Sequence, residues 1–323
     1  MSLSNKRIMV TGGAGFIGSH LCEELYKKGP EHLLIADDFS LGKEKNLKRL
    51  KGKENISIVK LDVSNYSSML NLLETENIDI IFNLAVIPLP ASLTEPKKNI
   101  DVNISIVTTL CELLYRSKYN TLIHTSSSEA YGTSVYMNKP MDEKHPTYPT
   151  TPYAAGKLAC DHIALSYHIT FGLDIAIARP FNTYGPRQNE QSYAGVIPLT
   201  ITRILHSEPP VIHGDGLQTR DYTYVEDIAS GISRFFEVKS TRGKIINLAS
   251  GKEVTIKELI QKIMELMDYN GPITYTPKRP GDVRRHLGDI SLAEKIIGYK
   301  PSTDLQEGLK KTISWYKQNH AFY

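Results

Sequence analysis

The chain has 323 residues, 41% hydrophobic and 23% charged, with 38 Lys plus Arg against 35 Asp plus Glu and a net charge of +3. That length suits one large domain with a smaller lobe, and it buries enough surface to need neither disulfides nor a metal. Near-balanced charge excludes a dedicated nucleic-acid binder, and the composition excludes a disordered chain, a disulfide scaffold or a membrane-spanning protein.

The N-terminus, MSLSNKRIMVTGG, has an apolar run too short for a secretory signal. Cys22, Cys111 and Cys160 are odd in number and none form a CxxC pair. Both features predict a reducing cytoplasm, with the thiols acting as small buried apolar groups. The runs RIMVTGG, HLLIADDF, ISIVKLDV, DIIFNLA, TLIHTSSS and DIAIARPF are short and rich in Ile, Leu and Val. They read as strands buried on both faces. Helical stretches alternate with them. In FIGSHLCEELYKKG, residues Phe16, Ile17, His20, Leu21, Leu25 and Tyr26 share a face. NISIVTTLCELLYRS and PYAAGKLACDHIALSYHIT follow. The alternation predicts an α/β fold with a doubly wound, mostly parallel sheet.

Beyond about residue 180, Pro and Gly cluster in RPFNTYGPRQ, SEPPVIHGDG and PKRPGD. Short strands such as KIINLAS mix there with helices such as TIKELIQKIMELM. The expected division is a cofactor domain over 1–180 and a smaller lobe over 181–323, with some segments of the second part returning to the first.

The first strand runs into Thr11-Gly12-Gly13-Ala14-Gly15-Phe16-Ile17-Gly18 and then a helix. Glycines at 12, 15 and 18 permit a tight turn, close approach of a pyrophosphate and close helix–strand packing. The helix N-terminus offers free N–H groups to phosphate. Asp37 ends the second strand, 19 residues after Gly18, where an acid binds adenosine ribose hydroxyls. No Arg directly follows it, which favours NAD over NADP. Asp38 reads as a turn residue. Asp62 is placed to reach the adenine edge, and the same residue also suits a cap for the next helix.

Tyr153 and Lys157 form YxxxK, and i to i+4 spacing puts both on one helical face. A Lys ammonium and a nicotinamide ring nearby favour the phenolate, so Tyr153 is the candidate base for a hydroxyl proton. Upstream, Thr125-Ser126-Ser127-Ser128-Glu129 follows a strand, at the end of the sheet where ligands bind. Its hydroxyls suit a sugar, its carboxylate suits acid–base work, and the same run also suits a cap. No metal-ligand spacing appears.

These residues, with Asn83-Leu84-Ala85, Asn103 and RPFNTYGPRQ, resemble the extended short-chain dehydrogenase/reductase family, and within it the nucleotide-sugar 4,6-dehydratases and 4-epimerases. The likeness extends to residues 214–229 and 279–290. It implies a Rossmann-type domain holding NAD and a smaller C-terminal lobe gripping a nucleotide diphosphate sugar with a UDP, dTDP or GDP group. It adds Val63, Leu84, Ala85, Asn103, Thr125 and Pro180 to the cofactor contacts. It also implies Ser127 as the catalytic hydroxyl, with Asn182, Val196, Arg220, Arg279 and Asp282 at the nucleotide and diphosphate. Base selectivity falls to residues 182–215. A homodimer through helices near 100–116 and 152–170 is expected. Relatives often carry a His after the fourth strand; NLAVIPLPASLTEP has none, which leaves Val86, Leu89 and Ala91 to shape the sugar pocket.

Every such enzyme oxidises the sugar at C4. A 4,6-dehydratase also needs a base for the C5 proton, and Ser127-Ser128-Glu129 resembles the Ser-Glu version of that machinery, with Ser128 where an Asp acid often stands. The leading expectation is an NDP-hexose 4,6-dehydratase. A 4-epimerase of UDP-glucose or UDP-N-acetylglucosamine comes second, a UDP-glucuronate decarboxylase third. A non-catalytic NAD-binding sensor is the alternative from another class.

Overall fold

The apolar runs pair as parallel strands β1 (Arg7–Thr11), β2 (His32–Asp37), β3 (Ile56–Lys60), β4 (Ile80–Asn83), β5 (Thr121–Thr125) and β6 (Ile175–Pro180). Helices α1 (Phe16–Lys27), α2 (Tyr66–Glu76), α3 (Pro96–Tyr115) and α4 (Pro152–Phe171) alternate with them. The computed structural model describes residues 1–134, 139–189, 195–279 and 281–319. The later chain contributes β7 (Asn182–Tyr184), α5 (Val196–Leu205), β8 (Val211–His213), β9 (Thr219–Tyr224), α6 (Val225–Ser233) and β10 (Ile245–Leu248). After these come β11 (Glu253–Thr255), α7 (Ile256–Leu266), β12 (Thr274–Thr276), β13 (Arg285–His286), α8 (Ser291–Ile297) and α9 (Leu305–Asn319).

The main sheet has seven strands in the order β3-β2-β1-β4-β5-β6-β10, all parallel. Side chains alternate between its faces. Ile8, Val10, Ile35 and Phe82 join the core under α1 and α6, whereas Met9, Leu34, Ala36 and Ile81 join the core under α3 and α4. Both faces are covered, which explains the continuous apolar runs. Strand order reverses between β1 and β4, so the carboxyl ends of these strands open onto a crevice. The register sets Thr11, Asn83 and His124 side by side there.

β10 comes from the C-terminal half yet pairs with β6 in this sheet, placing Asn247 beside Arg179. The smaller lobe is built around β9, which pairs with β7, β11 and β13. Its own core holds Ile197, Ile201, Leu259, Ile263, Leu309 and Ile313. Helix α4 is well bounded. Thr151 Oγ1 accepts from Ala154 N at 3.2 Å, Pro152 occupies the first turn, and Gly172 at φ +67° ends it. Among the described residues no helix is long and apolar enough to cross a membrane.

Candidate active site

The glycine loop closes the crevice on the β1 side. Gly12 has φ +66°, and a Cβ there would lie 2.7 Å from the Leu84 carbonyl. A Cβ at Gly18 would lie 2.1 Å from the Gly12 oxygen, so α1 packs directly on the loop. Gly15 caps α1 without a side-chain bond, and Phe16 and Ile17 form its first turn. The amides of that turn are available to phosphate. The buried carboxylate of Asp37 accepts from Ala14 N and Phe39 N, both at 2.9 Å. It therefore braces the loop at the end of β2, and burial raises its pKa against those bonds. These features fit a dinucleotide.

Other expected cofactor contacts are placed less directly. Asp62 is exposed and accepts from Ser64 N and Oγ, forming a turn; the cap of α2 is Asn65, whose side chain accepts from Ser68 N at 2.9 Å. The capping reading of Asp62 is thereby corrected: three residues further on, Asn65 stands at the position from which an oxygen reaches the free amides. Val63 is buried beneath this turn. Leu84 N bonds the Thr11 carbonyl, and Ala85 N lies 3.4 Å from Thr11 Oγ1. Asn103 is buried and clamps the following loop, accepting from Ile87 N at 2.8 Å and donating to Ile87 O at 3.0 Å. Asp38 accepts from Ser40 N at 2.8 Å, a turn as expected.

The chemistry-bearing residues meet where β5 and β6 end. Lys157 is buried and donates to the Thr125 carbonyl at 2.7 Å, while Thr125 Oγ1 has no partner among the described residues. Burial lowers the Lys157 pKa. Tyr153 shares a hydrogen bond with Ser127, and Ser127 Oγ also accepts from Glu129 N at 3.2 Å, capping the short turn Ser128–Tyr131. Burial pushes the Tyr153 phenol well above its ordinary value; the Ser127 bond opposes this, and the Glu129 carboxylate adds to it. The protein alone thus does not supply the lowered phenol expected from Lys157, whose ammonium engages Thr125. Glu129 lies between the two halves of the molecule. Burial raises its pKa, Arg220 opposes that, and Asp282 reinforces it. Ser128 is buried.

Across from this turn, a cavity of about 370 Å³ brings Val196, Arg220, Arg279 and Asp282 together with Tyr222 and His213. Arg220 pairs with Asp282 and donates to the Val283 carbonyl at 2.8 Å, whereas Arg279 donates to His213 Nε2 at 2.8 Å. Paired guanidinium groups over a cavity suit a diphosphate. The buried Asn182 amide nitrogen has no partner among the described residues and lies at the start of β7, beside Tyr222. Pro180 ends β6 just before it. Of the selectivity segment 182–215, residues 190–194 fall outside the described residues, as does Pro280. Sequence reasoning missed His213, whose only signal was its place in a strand before GDG.

A family model described as GDP-mannose 4,6 dehydratase matches residues 9–312. The chain is 33% identical over 314 residues to a putative UDP-glucose 4-epimerase of Methanocaldococcus jannaschii, covering 97% of this chain and 99% of that one. It is 32% identical over 326 residues to human dTDP-D-glucose 4,6-dehydratase, covering 97% and 91%. A crystal structure of a dTDP-glucose 4,6-dehydratase from Streptomyces venezuelae, with NAD bound, superposes with a TM-score of 0.91 at 28% identity, covering 98% of both chains. Relatives named as UDP-glucuronate 4-epimerase and as UDP-glucuronic acid decarboxylase also match. A Rossmann-like sheet, together with these relatives, defines an NAD-dependent sugar-nucleotide enzyme. The chain belongs to the GDP-mannose 4,6 dehydratase family, within the extended short-chain dehydrogenase/reductases.

Proposed function

We propose that the protein is an NDP-hexose 4,6-dehydratase, a lyase acting through transient oxidation at C4. The observation that carries this reading is Glu129, a carboxyl held in the turn between Ser127 and Tyr131 and close enough to act on the Tyr153 phenol. An epimerase needs no carboxylate there. The Arg279 and Arg220–Asp282 groups grip the diphosphate, and Asn182 helps anchor it. NAD, when bound, would supply the hydride chemistry. Ser127 orients the C4 hydroxyl, and Tyr153, as phenolate, takes its proton. Lys157, held by its bond to the Thr125 carbonyl, would help to hold the cofactor on the Tyr153 face of α4. With a ketone at C4 the C5 proton becomes acidic, and Glu129 removes it. Glu129 then passes that proton to the C6 hydroxyl, which leaves as water. A carboxyl with a raised pKa suits both halves of that transfer. Glu129 would take a fresh proton from solvent and deliver it to C5, Tyr153 would release its own proton to solvent, and reduction at C6 would be the chemistry that bound NAD supplies.

Glu129→Gln should still oxidise C4, seen as NADH absorbance in a single turnover with dTDP-glucose, UDP-glucose and GDP-mannose, yet form no 6-deoxy-4-keto product by NMR. An unchanged product yield would refute the role. The second reading is an NDP-sugar 4-epimerase, an isomerase. Ser128 favours it, because it is buried and offers no acid for the C6 hydroxyl.

We further propose a cytoplasmic homodimer formed through α3 and α4. These helices pack along each other and leave Tyr115, Ile169 and Phe171 exposed. The three thiols are buried and unpaired, which suits a reducing compartment. Sedimentation of a monomer at micromolar concentration would contradict the dimer.

A further inference from the structure

Helix α4 carries a third polar residue in line with Tyr153 and Lys157. Asp161 lies four residues beyond Lys157, so it shares their face, and its side chain has no exposed surface. No step above uses it. A carboxylate so buried is strongly unfavourable unless paired and hydrogen-bonded.

Its partners come from both sides of the catalytic turn. Asp161 Oδ2 accepts from the Ser126 hydroxyl and from Arg179 Nη2, each at 2.6 Å. Ser126 directly precedes Ser127. The Arg179 guanidinium also lies over the Tyr131 ring, 4.4 Å from its centre, and Tyr131 closes the turn that bears Glu129. Tyr131 in turn donates to Asn247 Oδ1 at 2.9 Å.

A second chain arrives from the glycine loop. Thr11, the residue before Gly12, donates through Oγ1 to Asn83 Oδ1 at 2.6 Å, and Asn83 Nδ2 donates to His124 Nδ1 at 2.9 Å. An amide nitrogen only donates, so Nδ1 carries the lone pair and the neutral ring bears its proton on Nε2. Burial and Lys157 keep His124 neutral. Its Nε2 lies 4.0 Å from Asp161 Oδ1, and neither atom has another partner among the described residues. Ser126 and Arg179 thus donate directly to Asp161, whereas Tyr131 donates away from it to Asn247, and the donors from Thr11 and Asn83 lead to His124, whose Nε2 faces Asp161 from beyond hydrogen-bond distance.

We propose that Asp161 is a positioning residue for the reaction at Tyr153: through its bonds from Ser126 and Arg179 it locks the catalytic helix to the Ser127–Glu129 turn, and its charge faces the neutral His124 at the end of the donor chain from the dinucleotide loop. The inference rests on reading Tyr153 as the base. It has an electrostatic consequence. The groups acting on the Tyr153 phenol are Ser127, Glu129, Cys160 and Asp161; those acting on Lys157 are Cys160, Asp161 and Arg179. The Asp161 charge opposes the phenolate and favours the ammonium, so removing it makes the phenol easier to ionise.

The test is a titration of the NAD-loaded full chain labelled with 13C at tyrosine Cζ, with Tyr153→Phe identifying the Tyr153 signal. In Asp161→Asn the Tyr153 midpoint moves to lower pH, while Asp161→Glu, which keeps the charge, retains the wild-type midpoint. Should Asp161→Asn fail to fold, Asp161→Asn/Arg179→Met leaves no lone buried charge and is expected to move the midpoint in the same direction. An unmoved or raised midpoint in a folded variant overturns the proposal. The titration needs no turnover. Absence of NADH formation by the wild type with UDP-glucose and dTDP-glucose would count against Tyr153 as base, while the midpoint shift still decides the role of Asp161.

Discussion

Replacing Arg220 by Met perturbs the substrate cavity and the catalytic turn together. Arg220 makes an ion pair with Asp282, and the two side chains are 10% and 17% exposed. Its Nη1 also donates to the Thr219 and Val283 carbonyls at 2.8 Å. Removing one member of such a nearly buried pair strands the other charge, at about 3 kcal/mol. For a chain of 323 residues this lowers Tm by about 4 °C. The second effect is on Glu129. Arg220 is the group that holds its raised carboxyl down, so in Arg220→Met the pKa rises further. A base is lost on protonation, so the acid limb of the rate profile moves to higher pH. Arg220→Lys keeps the charge but loses the fork, and is expected to raise KM while leaving that limb near its wild-type position. Thermal melts and pH profiles of kcat on all three proteins check both effects. An acid limb unmoved in Arg220→Met, or moved to lower pH, would refute the coupling between cavity and turn.

Two further outcomes follow from the geometry. Gly18→Ala sets a methyl 2.1 Å from the Gly12 oxygen, so α1 must back away from the loop; the purified protein should carry far less NAD per chain than wild type, and full occupancy would contradict the assigned loop. His20 and His286 are buried, and burial depresses both from 6.5 to about 3. A depressed pKa gives stability that is present above the unfolded value and lost as pH falls toward the folded one. Urea unfolding should therefore show stability declining below about pH 6.5, by up to roughly 1.4 kcal/mol per pH unit for each histidine. His286→Gln should reduce that slope, and an unchanged slope would count against its buried neutral state.

What the sequence disclosed was local. Strand–glycine–helix punctuation located β1, the loop and α1. Spacing placed Tyr153 and Lys157 on one face of α4, and the hydroxyl run at the end of β5. What it concealed was carried by contacts between distant segments. Asp161 becomes the hub of the buried network only because β5 and β6 bring Ser126 and Arg179 to it. Arg279 and Asp282 read as one pair in sequence, yet they turn to His213 and Arg220 respectively, because β8 and β9 pass on either side of the segment. Asn103 was expected at the cofactor, and the structure gives its amide to the loop after β4. The Tyr153 environment was also hidden: burial outweighs any help from Lys157, which no spacing rule reports.

The central claim is that Glu129 removes the C5 proton during a 4,6-elimination. The direct measurement is turnover of dTDP-glucose, UDP-glucose and GDP-mannose in heavy water, with NMR of the product sugar. The account predicts a 6-deoxy-4-keto sugar carrying solvent deuterium at C5 in the wild type and none formed by Glu129→Gln. Turnover with inversion at C4 and no deuterium at C5 would contradict it and establish the 4-epimerase instead.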